Sequence, residues 1–231
     1  MFDVQEILQK KEDLHPELQA HFCHLSSGVP CIKHPLIYSI FHTENINALT
    51  NKRYELIKSQ VELALKENDI SRYVFLHERP YRLTAFDKAI SFLNLKISNK
   101  DYWELLGSIW TDTENSWQSL ELWKYYFSSD RPCSEYLMDK QERKAFRNLP
   151  DKLTIYRGYV PNKNKNGLSY TLDETTANWF SNRFNNHLVS LKAKSNKNGN
   201  VLKRVVNKSD VLAFFNGRNE DEILLKPKYL L

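Results

Sequence analysis

The hydrophobic rhythm of the chain changes once, at Pro150. Up to that point apolar residues recur every three or four positions, the spacing of one helical face. Tyr54, Ile57, Val61 and Leu65 form such a stripe, with Thr50 or Asn51 placed to cap it. Residues 71–79 and 85–95 read as two short helices broken at Pro80, which has no amide donor. Ser98 or Asn99 can cap a further helix in which Trp103, Leu106 and Trp110 align. TDTEN interrupts, and a helix from about 114 to 127 then carries Trp117, Leu120 and Trp123. Asp139 caps a last helix ending before Pro150. Aromatic stripes of this kind belong in a core.

Beyond Pro150 the period shortens to two. LTIYRGY (153–159) alternates as a strand does, and GLSYT (167–171) reads as a short strand entering a turn. Asp173 caps a helix that turns Ala177, Phe180 and Phe184 inward. HLVSLKA, NVLKRVV, VLAFFN and DEILLK follow as four strands separated by polar turns such as NKNGN. The pattern predicts an α+β protein with a mainly helical region over 1–150 and a β-rich region over 151–231.

Composition narrows the function. Aromatic residues are 13% of 231, too many for a disordered chain. No apolar run approaches the ~18 residues of a membrane helix. The start, MFDVQEILQKKEDLH, is charged and amphipathic and lacks the features of a secretory signal, so a cytoplasmic location is expected. Residues 1–150 hold 19 Lys+Arg against 21 Asp+Glu, whereas 151–231 hold 14 against 7. The basic tail suits an anionic ligand such as a nucleotide, a nucleic acid or an acidic protein face. It suits a solvated Lys/Asn-rich surface equally. The six glycines lack the spacing of a Rossmann fingerprint or a P-loop, so side chains must hold any nucleotide.

Five of the seven histidines lie in the first 42 residues, together with Cys23 and Cys31. HFCHLSSGVPCIKH offers Cys23, His24, Cys31 and His34 as conceivable zinc ligands, but only Cys31 to His34 has the usual spacing. Ordinary surface and core histidines are the default reading, and no metal is expected.

The tail holds a denser constellation. Arg157 sits in TIYRG, Ser169 and Thr171 lie two apart in LSYT, and Glu220 and Glu222 lie two apart in NEDEILL. Residues i and i+2 of an extended segment share a face. Two neighbouring carboxylates need a cation or separate tasks, and an Arg on a nearby strand answers that need. Each feature alone is an ordinary polar residue at a strand end.

Taken in order, YRG, then S-x-T leading into a helix, then E-x-E opening a final strand resembles the R-S-E class of mono-ADP-ribosyltransferases, over roughly residues 153–226. The resemblance implies a small two-sheet core with a cleft between the sheets, and NAD as co-substrate. It implies that Arg157 contacts the NAD ribose and phosphate, that Ser169 braces the site, and that Thr171 fills the third motif position. It implies Glu222 as the catalytic carboxylate on the nicotinamide ribose, and Glu220 as the group orienting an acceptor guanidinium. Tyr170 stands where the family usually has Thr, and as the middle residue it should face away. Arg183 and Arg218 are further candidates for phosphate or acceptor contacts. The acceptor implied is a protein arginine, with a nucleic acid as the lesser candidate. The helical region would select the target or support the core. The alternatives are an NAD glycohydrolase using the same residues, and a non-catalytic binding or inhibitor protein on the same fold.

Overall fold

Two compact units, residues 1–97 and 98–231, make up the chain in a computed structural model. The structure describes residues 10–160, 164–188, 199–217 and 219–229, with 183–188 by backbone alone. The protein is α+β, and both sheets are antiparallel. The change of rhythm at Pro150 does not coincide with the division into units, which falls between Ile97 and Ser98. The helices of 98–148 therefore belong with the β-rich tail.

In the first unit a short helix α1 (Pro16–Gln19) precedes a three-stranded meander, where a mainly helical region was expected. Its strands are β1 (Phe22–His24), β2 (Pro30–His34) and β3 (Ile37–Ile40). Gly28 supplies the left-handed residue of the turn between β1 and β2, with φ of 80°. Helices α2 (Asn47–Lys66), α3 (Ile70–Phe75) and α4 (Arg82–Asp87) follow, and a π turn over Lys88–Phe92 extends the last. Leu18, Ile32, Leu36, Ile37 and Tyr54 form a core on which Ile57 and Val61 pack. Helix α2 starts before its expected caps. Thr50 is buried within it, and Asn51 instead takes His15 N–H and donates to the Asp13 carbonyl.

The conceivable zinc ligands of this unit do not converge as one set of four. Cys23 and Cys31 face each other across β1 and β2. The His24 ring stands edge-on to Phe22, and His34 packs against His21 and Tyr54 while its Nδ1 accepts Leu36 N–H. No three histidine, cysteine or acidic side chains group as metal ligands among the described residues.

Burial pulls the His34 pKa down to about 4, against ~6.5 in an unfolded chain. Between those values the unfolded chain binds more protons, so this unit loses stability as pH falls from ~6.5 to 4. Protection of the Ile32 and Ile37 amides from hydrogen exchange should therefore be lower at pH 5 than at pH 7. His34→Asn, which keeps an acceptor for Leu36 N–H, should reduce that loss. Half-buried His77, whose pKa desolvation also lowers, adds to the remaining slope.

The second unit opens with helix α5 (Asn99–Asp112), whose first turn is capped by Ser98 Oγ accepting Asp101 N–H at 3.1 Å. Trp103 and Trp110 are buried on it as the stripe predicts. A 3₁₀ turn at Ser116–Ser119 delays the next helix, α6, to Leu120–Phe127. Helix α7 (Lys140–Asn148) begins with a capping box between Asp139 and Glu142. The strands are β4 (Lys152–Tyr159), β5 (Ser169–Thr171), β6 (Asn200–Asn207), β7 (Val211–Phe215) and β8 (Glu222–Leu225), and helix α8 (Glu174–Leu188) follows β5.

Among the described residues these strands form one five-stranded sheet in the order β6-β4-β5-β8-β7, where a two-sheet core was expected of the tail. The other sheet among the described residues is the meander of the first unit. Asp173 caps α8 through the Thr175 and Thr176 amides. HLVSLKA contributes His187 and Leu188 to the end of α8, and the rest of that expected strand lies outside the described residues. The edge strand β7 is covered by its own unit: Phe214 N–H reaches the Met138 sulfur, and Glu142 Oε1 accepts Asn216 N–H at 3.1 Å.

Candidate active site

Neighbouring strands gather the motif residues. Antiparallel pairing sets Tyr156 opposite Thr171, and Thr171 opposite Glu222. Phe215 of β7 flanks Glu222 on its other side. A cavity of ≈ 660 Å³ is lined by Arg157, Ser169, Thr171, Glu220 and Glu222, together with Trp110. Its size falls in the ordinary range for small-molecule sites, about 300–1,000 Å³.

Arg157 is half-buried, and backbone carbonyls fix it. Its Nε and Nη2 donate to Asn164 O at 3.2 and 2.8 Å, and its Nη1 donates to Ser169 O at 2.5 Å. Burial lowers the guanidinium pKa, while Tyr170 and the Glu222 carboxylate act to raise it. Gly167 makes room for this side chain, since a Cβ there would collide with the guanidinium.

Glu222 is 6% exposed, so its carboxylate needs donors. One is the indole of Trp110, whose Nε1–H reaches Glu222 Oε1 at 3.1 Å. Trp110 is held edge-on by Trp123 and by Phe127. No local pattern signals this bond, because a tryptophan in a helical stripe looks like core alone. Trp110 is indeed buried, yet its one polar atom serves the carboxylate.

Glu220 and Glu222 do not share the face of a continuous strand, as their spacing suggested. Strand β8 begins at Glu222, and the two residues before Glu222 and Glu220 respectively, Asp221 and Asn219, adopt left-handed conformations with φ of 44° and 55°. The turn nonetheless brings both glutamates to the cavity. Thr171 fixes that turn: its Oγ1 donates to Glu220 O at 2.6 Å, and Leu172 N–H bonds Asp221 O at 3.1 Å. Both glutamates also line a second cavity, of ≈ 700 Å³, with Glu104, Thr111, Tyr136 and Arg143.

The chain was compared with protein-family models, with curated proteins and with solved structures, and nothing matches in any of the three. The resemblance rests on the short sequence motifs alone.

Tyr170 is buried and accepts a bond from Arg204 Nη1 at 3.3 Å, but it also contributes to the cavity wall. Arg183 lies on the backbone of α8 with its side chain outside the described residues, and Arg218 lies outside them entirely. Two wall segments were missed. Residues 113–117, linking α5 to α6, line the cavity, and so do Trp179 and Phe180 of α8. Trp117 and Trp179 are 49% and 59% exposed. A bulky aromatic that stays exposed beside a polar cavity offers a surface for a planar ring to stack on.

Proposed function

We propose that residues 98–231 form an NAD-dependent mono-ADP-ribosyltransferase that moves ADP-ribose to a macromolecular acceptor, in the first instance a protein arginine, and releases nicotinamide. The observation that carries the reading is the gathering of Arg157, Ser169, Thr171, Glu220 and Glu222 on one cavity.

Cleaving the nicotinamide–ribose bond develops positive charge on the ribose. A fixed carboxylate beside it stabilises that charge, as in glycosidases. Glu222 takes this role, holding the ribose 2′-hydroxyl, while the Trp110 indole keeps the carboxylate from rotating away. Three of the five N–H groups of Arg157 are engaged with backbone carbonyls, and the others are left for ribose or phosphate oxygens. Its bonds to Ser169 O and Asn164 O pre-set its position before substrate arrives. Thr171 holds the Glu220 backbone, so the turn that carries the acceptor-orienting carboxylate is tied to the strand facing Glu222. Glu220 also borders the second cavity, which favours transfer to an acceptor entering from that side. An arginine acceptor is protonated in water and needs such a carboxylate to align it and take its proton.

Three tryptophans line the cavity, so NAD should quench the intrinsic fluorescence on binding. Arg157→Ala should weaken NAD affinity by roughly tenfold or more, the worth of a charge-assisted bond. Unchanged affinity in a variant that is folded by circular dichroism contradicts the assignment. Glu220→Ala should lose transfer to protein while retaining release of nicotinamide into water. Equal loss of both activities would remove the acceptor role from Glu220.

A further inference from the structure

The meander of the first unit holds a pair of thiols that the proposed reaction does not use. Cys23 of β1 and Cys31 of β2 are direct cross-strand partners. Their register is pinned on both sides, by Leu25 N–H to Val29 O at 2.9 Å and by Lys33 N–H to His21 O at 3.1 Å. The two sulfurs are 3.2 Å apart, and both cysteines are free thiols. Cys31 is fully buried, whereas Cys23 is half-buried.

Sulfurs this close need to move only about 1 Å to reach disulfide bonding distance. No third ligand completes a metal site around them among the described residues. We propose that Cys23 and Cys31 are an oxidisable dithiol, which a low-molecular-weight disulfide such as oxidised glutathione converts to a cross-strand disulfide.

The exchange balances in two steps. The Cys23 thiolate attacks one sulfur of oxidised glutathione, forming a mixed disulfide and releasing one glutathione thiolate. The Cys31 thiol then loses its proton and attacks the Cys23 sulfur, expelling the second glutathione. The protein gives up two electrons and two protons, and oxidised glutathione takes them up as two molecules of thiol. Cys23 reacts first because an external disulfide can reach it. The contact with Cys23, and then burial, also push the Cys31 pKa upward, which keeps that group a thiol until the mixed disulfide forms beside it.

The test uses the full chain carrying Cys133→Ser, incubated with excess oxidised glutathione in buffer and in urea. Thiols are then titrated, and the tryptic peptide spanning 12–33 is weighed. In buffer both remaining thiols should be lost, the peptide should be two hydrogens lighter, and no glutathione should stay attached. Closure should be at least tenfold faster in buffer than in urea, because the folded sheet holds the sulfurs together. Cys31→Ser in the same background should instead stop at a stable glutathione adduct on Cys23. Persistent free thiols, a glutathione adduct retained on the Cys133→Ser chain, or equal rates in buffer and urea would each overturn the proposal.

Discussion

Glu222→Gln is expected to lower the turnover of NAD by about a thousandfold or more, while NAD affinity stays within a few-fold of wild type. The substitution is nearly isosteric. Its side-chain oxygen can still accept the Trp110 indole N–H that Glu222 Oε1 accepts at 3.1 Å, so the local packing survives. What disappears is the negative charge facing the ribose as it becomes positive. The ground state, in which the ribose is neutral, loses little. The loss should therefore appear in kcat and spare the fluorescence titration. A variant that turns over NAD like the wild type would remove Glu222 from the reaction. A variant that loses affinity and turnover in parallel would make it a binding group.

Gly158→Ala should destabilise the second unit by about 3 kcal/mol or more, a fall in melting temperature of roughly 10 °C. Gly158 lies in β4 where α8 crosses it. An added Cβ would collide with the Ala177 carbonyl oxygen and would sit 2.6 Å from Ser181 N. Both are backbone atoms of a helix and cannot swing aside as a side-chain tip can. Either α8 lifts from the sheet or β4 is displaced, and Arg157 is the next residue along. All five tryptophans lie beyond residue 98, so their fluorescence reports the melting of this unit alone. A melting temperature within a degree or two of wild type would mean that the close packing of α8 on β4 is not what holds this edge of the unit.

How much of this was legible in the sequence depends on the range of the forces involved. Local signals were read well. Ser98, Asp139 and Asp173 cap the helices they were expected to cap, because a capping side chain bonds amides two or three residues away. The strands NVLKRVV, VLAFFN and DEILLK appear as β6, β7 and β8, since each is bounded by polar turns. The meander of 22–40 was missed. Its strands are three to five residues long, and histidines and cysteines occupy positions where alternation would otherwise show.

The division into units was obscured for a different reason. Pro150 marks a change of secondary structure, and packing need not change with it. Helix α5 sends Trp110 to Glu222, 112 residues away, and no local pattern encodes that contact. The candidate residues themselves were legible as motifs, and the structure brings five of them to one cavity. Their bonding was not. That Arg157 spends donors on Asn164 and Ser169 carbonyls, and that Thr171 holds the Glu220 turn, follows from a sheet order that skips along the sequence.

The measurement that bears most directly on the proposed function is incubation of the full chain with a bacterial lysate and NAD labelled in its adenylate half, following nicotinamide and macromolecular label together. Nicotinamide should be released in stoichiometric amount and label transferred to protein, and both should be lost in Glu222→Gln. Nicotinamide release without label on any macromolecule would make water the acceptor and the protein a hydrolase. Neither signal, with wild type and variant alike, would contradict a catalytic role for the cavity altogether.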